Sequence, residues 1–141
     1  MGEQLHILIV DDNPDMADSL ADILQVKGYD VHTTHSGPQA LKVLDDHPID
    51  ILLTDVKMPG MNGVELYQAV LETHPNLYTI FMTAYAADDL IKAGIALGVK
   101  TVLTKPLNIK LLLIMFESIQ KTLHQPADPD KRETPRFIKG W

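Results

Sequence analysis

The 141-residue chain contains no cysteine. That absence removes disulfide frameworks, thiolate metal sites and cysteine nucleophiles together. Aromatic residues are scarce at 6%, with a single Trp, and there are only two arginines, Arg132 and Arg136. Positive charge is in short supply: 12 Lys plus Arg face 19 Asp plus Glu, a net charge of −7. An acidic chain of this kind is expected neither to bind nucleic acid directly nor to coat an anionic membrane, and it suits a cation or a basic partner. Long hydrophobic runs are missing too. The longest, Leu111–Phe116, falls far short of the roughly 20 residues that a membrane-spanning helix needs. The first eight residues show no basic segment followed by an apolar stretch and a cleavage site, so the expectation is a cytoplasmic soluble domain.

What the chain does have is alternation. Leu5–Val10 reads as a buried strand, and Asn13-Pro14 then opens a helix as a cap followed by proline at the first helical position. Met16, Leu20, Ile23, Leu24 and the stem of Lys27 fall at helical spacing, and Gly28 closes the helix. The same unit recurs four times. Strands are expected at Asp30–Thr34, Ile49–Thr54, Leu77–Met82 and Thr101–Thr104. The helices between and after them start at Pro38, span Gly63–Glu72 and Ala86–Leu97, and run from about Leu107 to Leu123. Parallel strands need crossover helices, and continuously apolar strands belong to a sheet covered on both faces. The expected fold is therefore a five-stranded α/β sandwich occupying residues 1–125. From Pro126 the composition shifts to three prolines, both arginines and the Trp, without helical period, so residues 126–141 read as a tail or linker. A docking role for Phe137, Ile138 and Trp141 is the alternative.

In an open parallel sheet, ligands bind beyond the carboxyl ends of the strands. Asp11 and Asp12 follow the first strand, Asp55 the third, Thr83 the fourth and Lys105 the fifth. Singly, each is an ordinary turn former, cap or solvated cation. Jointly, three carboxylates in one place repel one another and call for a cation. Oxygen-only ligands suit a hard divalent ion, and an open site that also handles phosphate suits Mg²⁺. A lysine and a threonine hydroxyl add the parts for holding a phosphoryl group, which an Asp carboxylate can accept covalently.

Asp11-Asp12, the stretch Asp55-Val56-Lys57-Met58-Pro59-Gly60-Met61-Asn62-Gly63, then Thr83-Ala84 and Lys105-Pro106 closely resemble the receiver domain of two-component response regulators, from about residue 5 to residue 123. The resemblance implies a doubly wound, flavodoxin-like (βα)5 sandwich with strand order 2-1-3-4-5 and a cis peptide before Pro106. It implies that Asp55 takes a phosphoryl group from the phosphohistidine of a sensor histidine kinase or phosphotransfer protein, and that the domain dephosphorylates itself. Asp12, Asp55 and the backbone carbonyl of Lys57 would hold Mg²⁺, with Asp11 acting mainly through water. Lys105 would pair with the phosphoryl group, and Thr83 would bond to it and move with it.

One position departs from the family pattern. Val102 stands three residues before Lys105, where an aromatic ring usually couples to the threonine. Tyr85 is a second candidate to cover the pocket, and Lys57, two residues after the acceptor, is expected to affect dephosphorylation. On the last helix, Leu112, Met115, Phe116, Ile119 and Leu123 make a core stripe that leaves Ile114 opposite, with Leu111 flanking. Leu111, Ile114 and the fourth helix are thus expected to form a homodimer or effector surface. The six histidines show no paired ligand spacing on one helix and read as structural or solvated. Other function classes fit the residues less well: a receiver-like interaction domain that is never phosphorylated does not need every acidic and basic anchor present here. A phosphohydrolase resembling the haloacid-dehalogenase family would need a second Asp at position 57, where Lys57 stands. A flavodoxin-like electron carrier would not place Asp11-Asp12 beside a flavin phosphate.

Overall fold

The structure is a computed structural model that describes residues 4–85 and 88–123. The proposed tail, 126–141, lies outside the described residues. Five strands alternate with five helices: β1 (His6–Val10), α1 (Pro14–Val26), β2 (Asp30–Thr34), α2 (Gly37–Asp46), β3 (Ile51–Asp55), α3 (Gly63–Thr73), β4 (Tyr78–Thr83), α4 (Asp89–Leu97), β5 (Thr101–Thr104) and α5 (Ile109–Leu123). All strand pairs are parallel, in the order β2-β1-β3-β4-β5. The Lys105–Pro106 peptide is cis. Two compact units are present: Gln4–Leu107, which holds the whole sheet and the first four helices, and a second that includes α5.

Within the larger unit, the strand order places the helices. The step from β1 to β2 runs one way along the sheet, and the steps to β3, β4 and β5 run the other way. Right-handed crossovers therefore put α1 on one face and α2, α3 and α4 on the opposite face. The packing agrees. Leu8, Val10 and Leu52 pack with Ala40 and Leu44 of α2 and Leu66 and Val70 of α3. Farther along that face, Phe81 meets Tyr67 edge-on at 5.8 Å, within a cluster that includes Val64 and Ile91. Ile7 and Ile9, alternate residues of β1, turn to the other face and are fully buried.

Helix starts follow side-chain chemistry. Asn13 accepts from the amides of Asp15 and Met16, Ser36 accepts from Gln39, and Asn62 and Glu65 form a reciprocal capping box. Asp88 caps α4, which begins at Asp89, three residues later than the sequence pattern predicts. The buried stripe of α1 also differs from expectation. It consists of Ala17, Leu20, Ala21 and Leu24, while Met16 and Ile23 are 47% and 39% exposed. Small alanines let the helix backbone approach the sheet closely, so the stripe rotates away from the larger apolar side chains that the periodicity counts. In α5, considered alone, Leu112, Phe116 and Ile119 are buried, and Leu111, Ile114 and Leu123 are exposed. The expected stripe thus holds at Leu112, Phe116 and Ile119, whereas Met115 is half-buried and Leu123 is exposed.

Candidate functional site

The carboxyl ends of β1, β3, β4 and β5 bring distant residues into one pocket. Asp11 leaves β1, Asp55 ends β3, Thr83 ends β4 and Lys105 leaves β5. Carboxylate oxygens of Asp11, Asp12 and Asp55 all lie within 4.8 Å of one another. Asp11 and Asp55 are buried and Asp12 is exposed. The Lys105 ammonium lies between two of them, donating to Asp11 Oδ2 at 3.0 Å and to Asp55 Oδ2 at 3.2 Å.

Local backbone bonds hold each group in place. The other oxygen of Asp11 accepts from the Asn13 amide at 3.0 Å, so the same turn that starts α1 orients the carboxylate. The Asp55 carbonyl accepts from the buried Thr54 hydroxyl at 2.9 Å. The Lys105 amide donates to the Thr83 carbonyl at 2.8 Å, and the Thr83 hydroxyl accepts from the Tyr85 amide at 3.0 Å. Two glycines shape the loop after Asp55. Gly60 takes a φ of +74°, which disfavours any side chain. A Cβ at Gly63 would lie 2.6 Å from the Asp55 carbonyl oxygen, so only glycine lets α3 start this close to β3.

The electrostatics are those of a crowded acid site. Burial raises the pKa of Asp55; Lys105 pulls it back down, and Asp11 and Asp12 push it up further. Burial works against the charge of Lys105, but its hydrogen bonds and coulombic attraction to Asp11 and Asp55 outweigh that and raise its pKa. One ammonium among three carboxylates leaves the pocket short of positive charge. The donor set is all oxygen, which fits a hard dication and not a soft one.

Thr83 is buried at the end of β4. Val102 is partly buried against the cluster of Val56, Val64, Tyr67, Phe81, Ile91 and Val99, occupying the position where the family pattern has an aromatic ring. The Lys57 side chain reaches the β4–α4 loop: its ammonium pairs with Asp88 Oδ2 at 2.7 Å and lies 5.2 Å from the centre of the exposed Tyr85 ring. The hydrogen bond between them raises the pKa of Lys57 and lowers that of Asp88. Asp88 was not among the residues singled out from sequence. The pattern starts this helix at Ala86 and so passes over its capping role, and its pairing across 31 positions of chain has no local signal.

The sequence profile of the response regulator receiver domain matches residues 7–117. The transcriptional regulatory protein CpxR of Escherichia coli strain K12 is 36% identical over 118 residues, which cover 84% of this chain and 50% of that protein. The response regulator receiver protein Anae109_2439 of Anaeromyxobacter sp. strain Fw109-5 is 39% identical over 106 residues, 75% of this chain and 44% of that protein. The chain thus spans about half the length of these curated relatives. Among solved structures, the chemotaxis response regulator CheY4 of Vibrio cholerae superposes with a TM-score of 0.75 at 28% identity, covering 83% of this chain and 99% of the other. A CheY-like response regulator receiver domain protein from Methanospirillum hungatei JF-1 gives 0.78 at 28% identity, covering 86% and 99%. With its five parallel strands in the order 2-1-3-4-5 and this breadth of sequence similarity, the chain belongs to the response regulator receiver domain family.

Proposed function

We propose that this domain is a phosphorylation-dependent signalling switch whose phospho-acceptor is Asp55. The observation that carries the reading is the Lys105 ammonium spanning Asp11 and Asp55 inside a three-carboxylate pocket. An Asp55 oxygen attacks the phosphorus of a phosphohistidine on a sensor histidine kinase or phosphotransfer protein. The P–N bond breaks, and imidazole leaves. Lys105 moves from a carboxylate–carboxylate bridge to pair with the new phosphoryl oxygens. Such transfers have a loose transition state, so alignment and charge neutralisation are what the protein must supply.

Asp12, Asp55 and the backbone carbonyl of Lys57 would hold Mg²⁺, with Asp11 mainly through water. Bound there, the ion would offset the carboxylate charge and attract the phosphoryl oxygens. Thr83 is the group that reports the change. Its hydroxyl is engaged by the Tyr85 amide, so turning toward a phosphoryl oxygen loosens the loop that leads into α4. The altered surface is then α4 and β5. Ile95 on α4 is an exposed apolar residue suited to a homodimer or effector contact, and so, separately in the second unit, are Leu111 and Ile114 on α5. The phosphodonor must reach Asp55 from the rim where α1 begins. Met16, Ile23 and Val26 form an exposed apolar stripe down that helix, suited to a helical donor domain. A phosphohydrolase reading is weaker, because Lys57 occupies the acid–base position and its ammonium is engaged by Asp88.

Self-dephosphorylation follows from the same pocket when water attacks the phosphoryl group. The decisive experiment is incubation with a small phosphodonor and Mg²⁺, comparing wild type with Asp55→Asn. Label that hydroxylamine removes is expected in the wild type, and none in the variant. Hydroxylamine-resistant label, or full label in the variant, overturns the assignment.

A further inference from the structure

Asp11 is buried, and each of its four polar atoms has a partner. Its amide donates to the Thr34 carbonyl at 3.1 Å. Oδ1 accepts from the Asn13 amide at 3.0 Å, and Oδ2 accepts from Lys105 at 3.0 Å. The remaining atom is its carbonyl oxygen, which lies 3.1 Å from Nδ1 of His35. Two of these partners are backbone groups and one is the lysine of the pocket. His35 is different: it is a side chain from the turn between β2 and α2 that the phosphoryl chemistry does not use. A carbonyl oxygen can only accept, so Nδ1 is a ring nitrogen that carries a proton.

The turn holds the imidazole in this pose. The His35 amide donates to Gln39 Oε1 at 3.0 Å, and the Gln39 amide donates to the hydroxyl of Ser36, the cap of α2. This is a capping box displaced by one residue, since the glutamine reaches back past the cap to the position before it. A Cβ on Gly37 would collide with the Met61 side chain, so α2 starts directly against the loop that follows Asp55. His35 therefore stands on a turn braced by the helix it precedes and by the loop after β3.

What the imidazole holds is a peptide plane. The Asp11 carbonyl belongs to the peptide that joins Asp11 to Asp12, and the atoms of a peptide move as one plane. The Asp12 carboxylate is exposed and has no hydrogen-bond partner among the described residues. Its place beside Asp11 and Asp55 is therefore set by the backbone that leads into it. We propose that His35 is a positioning residue for the Mg²⁺-binding carboxylates, holding the Asp11–Asp12 peptide so that the Asp12 carboxylate stands beside Asp55.

The inference rests on the reading of Asp12 and Asp55 as Mg²⁺ ligands given above. His35 bonds to a carbonyl and not to a carboxylate, so its effect passes through the backbone. Mg²⁺ demands near-ideal octahedral geometry and tolerates little displacement of its ligands. Groups that orient metal ligands from outside contribute about 10- to 100-fold in affinity.

Side-chain shape separates positioning from packing. Asn carries an N–H donor on Cγ, as His carries Nδ1 there, whereas Phe keeps a ring and has no donor. Mg²⁺ affinity of the full chain is measured by isothermal titration calorimetry, with circular dichroism showing that each variant is folded. His35→Phe and His35→Ala, two independent donor-free variants, should each weaken Mg²⁺ binding about tenfold. His35→Asn should restore it to within about threefold of wild type. The Mg²⁺ concentration for half-maximal phosphorylation should rise in parallel, so the loss appears in Mg²⁺ dependence before maximal rate. Unchanged affinity in both donor-free variants overturns the proposal. So does an equal loss in His35→Asn and His35→Phe, which would assign the ring to packing alone. Asp12→Asn tests the underlying reading: if it binds Mg²⁺ as wild type does, the metal assignment and this inference fall together. Loss of binding in Asp12→Asn with none in the donor-free variants removes His35 alone. Calorimetry needs no phosphodonor, so neither result depends on Asp55 being the acceptor.

Discussion

At the carboxyl ends of the strands, three carboxylates face one ammonium; at the amino ends of β1 and β2, two imidazoles share one carboxylate. The first cluster is assembled from residues at strand ends and in the loops that follow. The second is assembled inside the strands, from register and alternation. One cluster is all oxygen except for its lysine and suits a hard ion. The other is rich in nitrogen, and its two imidazoles converge on the single carboxylate of Asp30. The contrast teaches that a parallel sheet offers two chemically distinct ends. Its connections decide what can stand at the carboxyl end, while pairing decides what meets at the amino end.

The largest expected effect separates the two ends outright. Asp55→Asn should abolish phosphorylation by a small phosphodonor, while His6→Gln and His32→Gln should leave its rate within about twofold. Phosphorylation that fell equally in all three would erase the distinction. Next in size is Lys105→Ala, which leaves the carboxylates without their neighbouring cation. Phosphotransfer rate, followed by radiolabel at fixed Mg²⁺, should drop by about a hundredfold.

A smaller effect tests the rim of the acidic pocket. Lys57→Ala removes the link between the loop after β3 and Asp88 at the start of α4. Water should reach the phosphoryl group more freely, shortening its lifetime by about fivefold. Equal lifetimes in wild type and variant would remove Lys57 from the account.

The smallest effect concerns stability. Burial raises the pKa of Asp55 above 3.8, so the folded state holds that proton more tightly than the unfolded state does. The resulting penalty grows as pH rises through the window from 3.8 to the raised value, and is fully present above it. Without Mg²⁺ at pH 7.5, Asp55→Asn should therefore be more stable than wild type, by about 1 kcal/mol in urea unfolding. The gain should fade as the pH drops below 3.8, and shrink when Mg²⁺ is added to the wild type. An equal advantage at all pH values would mean that charge in the pocket is not its cause.

Much of the acidic end could be read from the chain alone, because its residues sit at boundaries. Asp11, Asp55, Thr83 and Lys105 each follow or end an apolar run, and a parallel sheet brings such boundaries together whatever the side chains are. Other features left no such trace. The Lys57–Asp88 pair joins two loops, and nothing in either loop names the other. The buried face of α1 turned on alanines, whose value lies in close approach and not in hydrophobic bulk. His6 and His32 show no pairing at helical spacing because they meet Asp30 through β-register, across strands 24 positions apart in the chain.

By itself, then, the order of residues determined the alternation of strands and helices, the cap that starts the first helix and the acidic composition of one sheet end. These depend on neighbours within a few positions, through periodicity, backbone hydrogen bonding and turn chemistry. Only the tertiary structure decided which ammonium lies between which carboxylates, which way Lys57 turns, and that His6, His32 and Asp30 converge. Those outcomes depend on strand pairing and side-chain direction, which couple positions far apart in the chain and are set only when the sheet closes its register.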